Sequence, residues 1–314
     1  MRQCEIAGWG TDLPDRVVRF GDQTRYRIAE GRSQLDLLAA AATRALDRAG
    51  LGPGDIDCVI GAVAGDLQPI PCTAALVWER IAPRERVAAF DVNSTCTSFI
   101  TAVDVASRYL VDGEYQRVLI VSGDVGSRFL NPDQPESNEL FSDAAAAVVL
   151  TAGSDPARGV LTSLQRTWAE HAHDTEIRGG GSLVPPHDYL PSAGVDYQFD
   201  MDGRRALRNM VRVLPEFFDD FFTRLGSAAG LGVGDVDLFV PHQASRALGL
   251  AMRRIGIPPE QYIDWVGDYG NMVSGSVPFV LARCLDSGRV RRGDLVVLCG
   301  TAAGLTANAL ALRL

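Results

Sequence analysis

The chain has 314 residues, 46% of them hydrophobic, and a formal net charge of −9. That is enough apolar material to bury a large core, expected as two tightly packed halves. The acidity argues against nucleic acid as the main partner. No run of about eighteen apolar residues offers a membrane span, and no charged-then-apolar leader precedes a cleavage site.

Residues Met1 to Gly8 read as a first strand, and Gly50 to Ile60 as a glycine-rich turn running into an apolar strand. Between Ala88 and Phe99 another apolar strand runs directly into a helix, with Cys96 at the junction. A helix start offers unpaired N–H groups and the positive end of a dipole, which favour a thiolate. Cys96 is therefore expected to be pre-activated, with Ser94 or Thr95 capping the helix. Phe99, Ile100, Val103 and Leu110 then repeat at helical spacing as one buried stripe. A buried structural cysteine is the competing reading, and for a free cysteine taken alone it is the commoner one.

Further along, Arg117 to Gly123 is an apolar strand. From about Gln165 to Phe199 the glycines 179, 180 and 181 and the prolines 185, 186 and 191 mark loops. These either shape a binding tunnel or form a surface excursion. His171 and His173 lack partners at ligand spacing and His187 stands beside two prolines, so no metal site is expected. A helix around Ala206, Leu207, Met210, Val211 and Leu214 continues past Pro215, where a bend is expected. Beyond it Phe217, Phe218, Phe221 and Phe222 read as core. Arg246, Arg253 and Arg254 cluster on a helix through Leu248 and Met252, either as a patch for a phosphate or an acidic partner or as a solvated face.

The chain repeats itself. Gly50-Leu51-Gly52-Pro53-Gly54-Asp55-Ile56-Asp57-Cys58-Val59-Ile60 recurs 180 residues later as Gly230-Leu231-Gly232-Val233-Gly234-Asp235-Val236-Asp237-Leu238-Phe239-Val240. Arg117 to Gly123 matches Asp294 to Gly300 at nearly the same offset, and Asn93 corresponds to Asn271. Three matched pieces in the same order indicate a duplicated unit of sheets flanked by helices. Two such halves about a pseudo-twofold axis bring equivalent strand ends and helix starts together. His242 follows the apolar strand ending at Pro241, and ligands in open α/β sheets bind beyond strand carboxyl ends. Cys96, His242 and Asn271 are therefore expected to share one cleft.

Other chemistries find no support. All 30 basic side chains are arginine, so a Schiff-base lysine is excluded. There is no Gly-x-Ser-x-Gly elbow, no phosphate loop, and no complete dinucleotide-binding turn after a strand. The six cysteines are scattered, without metal-type pairing or a secreted-domain pattern, so a reducing cytoplasm is expected.

Cys96 in Asp91 to Phe99, His242 in Val240-Pro241-His242-Gln243-Ala244 and Asn271 in Gly270 to Pro278 resemble the three signatures of β-ketoacyl-acyl-carrier-protein synthase III. The likeness begins at Gly8-Trp9-Gly10-Thr11-Asp12-Leu13-Pro14, passes through Phe141 to Leu150 and ends at Gly304-Leu305-Thr306. It implies the thiolase fold, an α/β class of duplicated halves in five layers, α/β/α/β/α. Residues 1–165 would form the half with the nucleophile, 166–204 a loop-rich connection, and 205–314 the half with His242 and Asn271. Cys96 would hold an acyl group covalently, with the backbone N–H groups of Cys96 and Ala303 as oxyanion hole. His242 and Asn271 would stabilise the enolate of a malonyl-type thioester as carbon dioxide leaves. No cofactor or metal is implied; the partners would be an acyl carrier protein and a second copy of the chain.

The sequence also departs from the family's pattern. The segment Arg19 to Ile28 is shortened and lacks a tryptophan, and a family arginine falls at Pro135. Both grips on the adenine of coenzyme A are thus missing, which favours acyl groups delivered on a carrier protein. Arg246, Arg253 and Arg254 stand where the family places carrier-docking basic residues. Ala307 replaces a tryptophan, altering the expected pocket rim. These changes suggest a specialised biosynthetic relative. Two other readings are acyl transfer to a hydroxyl or amine, and a non-catalytic partner subunit of a condensing pair.

Overall fold

The computed structural model describes every residue except Tyr189 and Leu190, and every side chain except also those of Pro135, Glu136, Asp188, Pro191, Ser192 and Ala193. The first elements are β1 (Arg2–Asp12), a hairpin of β2 (Arg16–Phe20) and β3 (Gln23–Arg27), α1 (Gln34–Ala49), β4 (Cys58–Gly61), α2 (Thr73–Ile81) and β5 (Ala88–Asp91). Next come α3 (Ser98–Asp112), β6 (Arg117–Asp124), α4 (Pro135–Asn138), β7 (Ala144–Ala152), β8 (Gly159–Thr167), β9 (Thr175–Glu176) and β10 (Asp200–Met201). The remainder is α5 (Gly203–Ala229), β11 (Leu238–Pro241), α6 (Leu248–Arg254), α7 (Val266–Tyr269), α8 (Ser276–Asp286), β12 (Leu295–Ala302) and β13 (Thr306–Arg313).

Nine strands form a mixed sheet in the order β11-β12-β13-β8-β1-β7-β6-β4-β5. Its two halves join at the start of β1, where Arg2 and Gln3 face Val160 and Gly159. Strand β8, which crosses the boundary expected at residue 165, pairs along its length with β13 in the second half of the sheet.

In each half of the sheet alternate side chains feed a shared central core and an outer core, as a sheet covered on both faces requires. Ile120, Val240, Leu298 and Leu310 point into a central core with Phe99 and Ile100 of α3 and Val277 and Leu281 of α8. Leu119, Val121 and Val149 point the opposite way onto Leu38 of α1 and Val77 of α2. Phe239, Val297 and Ala309 meet Phe217 and Phe221 of α5 and Met252 of α6. The layers are therefore α1 and α2, half a sheet, α3 and α8, the other half sheet, then α5 and α6. This is the five-layer arrangement the resemblance implied, and the phenylalanines after Pro215 are core. Helix α5 runs through Pro215, which removes one backbone donor from its interior.

The sequence repeat is a structural repeat, bond for bond. Helices α1 and α5 end at Gly50 (φ 66°) and Gly230 (φ 68°), in the left-handed region that glycine enters without strain. Asp55 accepts the Gly52 amide at 2.9 Å, and Asp235 the Gly232 amide at 2.8 Å. Asp57 and Asp237 then reach to the amides of Arg117 (2.8 Å) and Leu295 (2.7 Å), which open β6 and β12. The counterpart of β5 in the second half shrinks to a single bridge between Phe239 and Tyr262. Among the described residues no helix is long and apolar enough to cross a membrane.

Helix α1 lies unusually close to β1. A Cβ at Gly8 would stand 2.2 Å from the Ala45 carbonyl oxygen, and one at Gly10 2.3 Å from that of Ala41. Gly10→Ala should therefore force the two elements apart and cost about 1–3 kcal/mol in urea unfolding. Gly234→Ala, where nothing stands within 4 Å, should change stability by less than about 0.5 kcal/mol.

Candidate active site

After β5 the chain passes through one turn of 3-10 helix, Thr95–Thr97, into α3. Cys96 sits in that turn, partly exposed between the partly exposed Thr95 and the buried Thr97. The expected caps are absent: neither Ser94 nor Thr95 accepts a helix N–H. Asn93 does this work instead, its Oδ1 accepting the Thr95 amide at 2.9 Å, while Ser98 Oγ accepts the Ser94 amide at 3.0 Å. The turn holds Thr95 at φ 51°, a conformation that costs a β-branched residue energy and persists only where neighbours enforce it.

The second half makes the same turn 178 residues later. Asn271 Oδ1 accepts the Val273 amide at 2.8 Å, Ser276 Oγ accepts the Met272 amide at 3.1 Å, and Val273 has φ 52°. Among the described residues Thr95 and Val273 are the two non-glycine residues with positive φ. The two turns lie against each other, and the Cys96 turn also lies against the end of β12.

His242 follows β11, its amide donating to the Cys299 carbonyl at 2.8 Å. The adjacent Gly300 leaves no room for a side chain: a Cβ there would stand 2.7 Å from His242 Cβ and 3.5 Å from Thr97 Cγ2. Gly300 thereby lets His242 close on the Cys96 turn. Asn271 Nδ2 donates to the Ala244 carbonyl at 3.1 Å, and the Ala244 amide donates to the His242 carbonyl at 2.9 Å. The segments carrying Cys96, His242 and Asn271 thus meet where the turns that precede α3 and α8 face each other beside the end of β12. Buried Gln243 pins the bend after His242, donating to Pro241 and Ile263 carbonyls at 2.9 and 3.1 Å and accepting the Trp265 amide at 2.7 Å.

The chemistry of the three groups follows from these contacts. Asn271 is locked in one orientation, because a flip would set its NH2 against the Val273 N–H and its oxygen against the Ala244 oxygen. One of its two N–H bonds is committed to Ala244 and the other remains to donate. Burial lowers the His242 pKa to about 4, so the imidazole is neutral near pH 7. Its Nδ1 is buried without a hydrogen-bond partner among the described residues. Cys96 corrects an expectation. Burial first, then the negative charge of Asp124, pushes its thiol up to about 12. The helix start does not outweigh them, and the resting group is a thiol rather than a thiolate.

Other expected features fall elsewhere. Arg253 and Arg254 are exposed in the last turn of α6, beside exposed Leu250. Arg246 precedes that helix and pairs at 3.4 Å with Asp22 in the β2–β3 turn, an exposed contact of small energetic weight. Ala303 opens the β12–β13 turn. Ala307 corrects a second expectation: it is wholly buried in the outer core with α5 and α6, not on a rim. The side chain of Pro135 lies outside the described residues. Among the described residues no histidine, cysteine and carboxylate cluster suits a metal, and all six cysteines are free. A depression of about 560 Å³ near Arg158, Leu161, Leu231 and Arg313 lies at the opposite end of the strands and holds none of the candidate residues.

Four structural contributors carry no role in the sequence reading. Arg25, 1% exposed, donates to the carbonyls of Glu139 (2.7 Å) and Val266 (3.1 Å), bracing the segments on either side of Asn271. Phe199, ending the loop-rich excursion, sits edge-on to Phe141 at 4.7 Å, and Phe141 bridges to Asn271. Asp124 lies near Cys96 and bonds Ser274. Ser274 alone had a legible signal, since it occupies in the second turn the place of Cys96.

Comparison with known proteins agrees with this geometry. Residues 90–167 match the 3-oxoacyl-[acyl-carrier-protein] synthase III family, and residues 227–314 match the family's C-terminal part. A β-ketoacyl-[acyl-carrier-protein] synthase III of Symbiobacterium thermophilum is 35% identical over all of this chain and 98% of its own length. The crystal structure of the Aquifex aeolicus 3-oxoacyl-[acyl-carrier-protein] synthase III superposes with a TM-score of 0.86 at 26% identity, covering 99% of this chain and 100% of that one. The priming β-ketosynthase of a polyketide biosynthetic pathway superposes with a TM-score of 0.87 at 25% identity, over 100% and 96% of the two chains. With the likeness running through both halves and both turns, the chain belongs to the 3-oxoacyl-[acyl-carrier-protein] synthase III family and is a condensing acyltransferase of the thiolase fold.

Proposed function

We propose that Cys96 takes an acyl group from a carrier-protein thioester and that the acyl-enzyme then condenses with a malonyl-type thioester. The observation that carries this reading is a pair of neutral donors beside Cys96: an imidazole with its pKa lowered to about 4 and a carboxamide with one uncommitted N–H. Neutral donors suit a carbonyl oxygen that gains negative charge, whereas a carboxylate in place of Asn271 would repel it.

In the first half-reaction the sulfur attacks the thioester carbon as His242 takes the thiol proton. The tetrahedral oxyanion is received by the Cys96 and Ala303 N–H groups. Collapse releases the carrier thiol, which regains the proton, and His242 is neutral again. In the second, His242 and Asn271 donate to the carbonyl of the malonyl-type thioester, the carboxylate leaves as carbon dioxide, and the enolate carbon attacks the acyl carbon. The Cys96 thiolate departs and is protonated from solvent. A starting thiol with a pKa near 12 keeps the sulfur inert until a substrate brings an oxyanion to stabilise.

The carrier domain is acidic in this reading, and Arg246, Arg253 and Arg254 receive it beside exposed Leu250. The missing adenine grips favour carrier-borne acyl groups over coenzyme A esters. On the resemblance alone, the working form is a cytoplasmic homodimer.

Two measurements test these roles. Asn271→Asp should leave acylation of Cys96 within about threefold of wild type and cut carbon dioxide release from a malonyl-carrier substrate about 10²–10³-fold. Ester or amide formation without gas release by the wild-type enzyme would replace condensation with simple transfer. Iodoacetamide labelling of Cys96 should climb steadily with pH from about 6 to about 10, because a raised pKa leaves the thiol protonated throughout that range. A plateau below about pH 8 would show a resting thiolate and contradict the assigned chemistry.

A further inference from the structure

Asp124 ends β6 in the interior, and no step above uses it. Its Oδ2 accepts the Ser274 hydroxyl at 2.5 Å and the Ser274 amide at 3.1 Å. Its Oδ1 accepts the amides of Ala64 at 3.1 Å and Gly65 at 2.9 Å. Ala64 in turn offers its carbonyl to Asn93 Nδ2 at 3.2 Å, and the Val63 carbonyl lies 3.1 Å from the Ser98 hydroxyl. One carboxylate thus holds the Asn271 turn directly and, through the 63–65 loop, both ends of the Cys96 turn. Ser122, two residues earlier on β6, adds to the tie: its Oγ is 2.6 Å from the Ala62 carbonyl and 3.0 Å from that of Ser274.

The pseudo-symmetry makes this arrangement informative. Ser274 is the third residue after Asn271, as Cys96 is the third after Asn93. Where the first half presents a sulfur, the second buries a hydroxyl and commits it to Asp124. Burial pushes the Asp124 carboxyl above the usual carboxylate range, and the hydrogen bonds it accepts from Ser274, Gly65 and Ala64 oppose that shift. All four of its partners are donors, the set a carboxylate satisfies, and hydrogen bonds to an ionised acceptor are about twice as strong as neutral ones.

We propose that Asp124, acting through Ser274 and the amides of Ala64 and Gly65, is a positioning residue that sets both the placement of Cys96 against Asn271 and the electrostatic field at its sulfur. This rests on Cys96 being the nucleophile. Of the ionisable groups on the elements around the Cys96 turn, Asp124 supplies the negative charge. His242 is neutral, Cys299 of β12 is a buried thiol pushed up to about 12, and Asp91 of β5 is turned to the amides of Thr73 and Ala74. The first turn of α3 and the Val273–Gly275 turn carry no ionisable side chain.

Two variants separate placement from field. Asp124→Asn removes the charge and also sets an NH2 against one pair of the N–H donors that the carboxylate accepts, loosening one side of the tie; iodoacetamide should still label Cys96 about tenfold faster at a fixed pH near 8, the effect of about one unit in its pKa. Condensation should meanwhile lose about tenfold in kcat with KM within about twofold. Ser274→Ala cuts the tie and keeps the charge, so labelling should stay within about threefold while kcat falls about tenfold. Unchanged or slower labelling of Asp124→Asn, or wild-type kcat in Ser274→Ala, overturns the proposal; if Asp124→Asn does not fold, Ser274→Ala decides alone. Full turnover by Cys96→Ala would instead remove the nucleophile reading beneath it, a distinct outcome.

Discussion

The contact on which the rest of this structure depends is the meeting of two strained turns, one from each half of the chain. Each is built by an asparagine that accepts the amide two residues on, which holds Thr95 and Val273 at φ 51° and 52°. β-branched residues do not settle there unaided. The cost is met by burial between β6, β12 and the opposing turn, so neither turn is expected to survive without the other half. Gene duplication supplied the same turn twice. The two copies then diverged in what they present: a sulfur from the first, a carboxamide from the second.

That divergence explains the division of labour. In the first copy Asn93 is structural, its Oδ1 on Thr95 and its Nδ2 on Ala64, and the side chain three residues later is the proposed nucleophile. In the second, Asn271 keeps the same turn bond and retains one uncommitted N–H, which the proposed reaction uses, while the residue three positions later is buried on Asp124. His242 comes from a third place, the end of β11, and reaches the same point because Gly300 carries no side chain. The site is thus assembled from strand ends and helix starts that the fold already brings together, with few residues added for the purpose.

Much of this was legible from the residues. The repeat at Gly50 and Gly230 rests on glycine conformation and on an aspartate closing a turn, both local and both visible in sequence. The duplication also pointed to a meeting of the segments that carry Cys96, His242 and Asn271, because equivalent strand ends and helix starts come together about a pseudo-twofold axis. The protonation state of Cys96 was not legible, since it depends on Asp124 and on burial by segments distant in the chain. Local logic gave Ser94 or Thr95 the capping role, but Asn93, one residue earlier, reaches the Thr95 amide. Arg25 drew no assignment from the sequence; the hairpin of β2 and β3 folds beneath the Asn271 segment and buries it against backbone carbonyls. Ala307 follows strand alternation to the outer core, which a position near a turn did not reveal.

The account turns on a covalent acyl group at one sulfur and its discharge onto carbon. Intact-protein and peptide mass spectrometry after incubation with acyl-carrier thioesters, followed by a chase with a malonyl-carrier thioester, reads both events. The account predicts a single acyl mass on the peptide containing Cys96 that disappears in the chase together with carbon dioxide release. Acylation at any other residue, or an acyl-Cys96 that persists through the chase while condensed product accumulates, would contradict it.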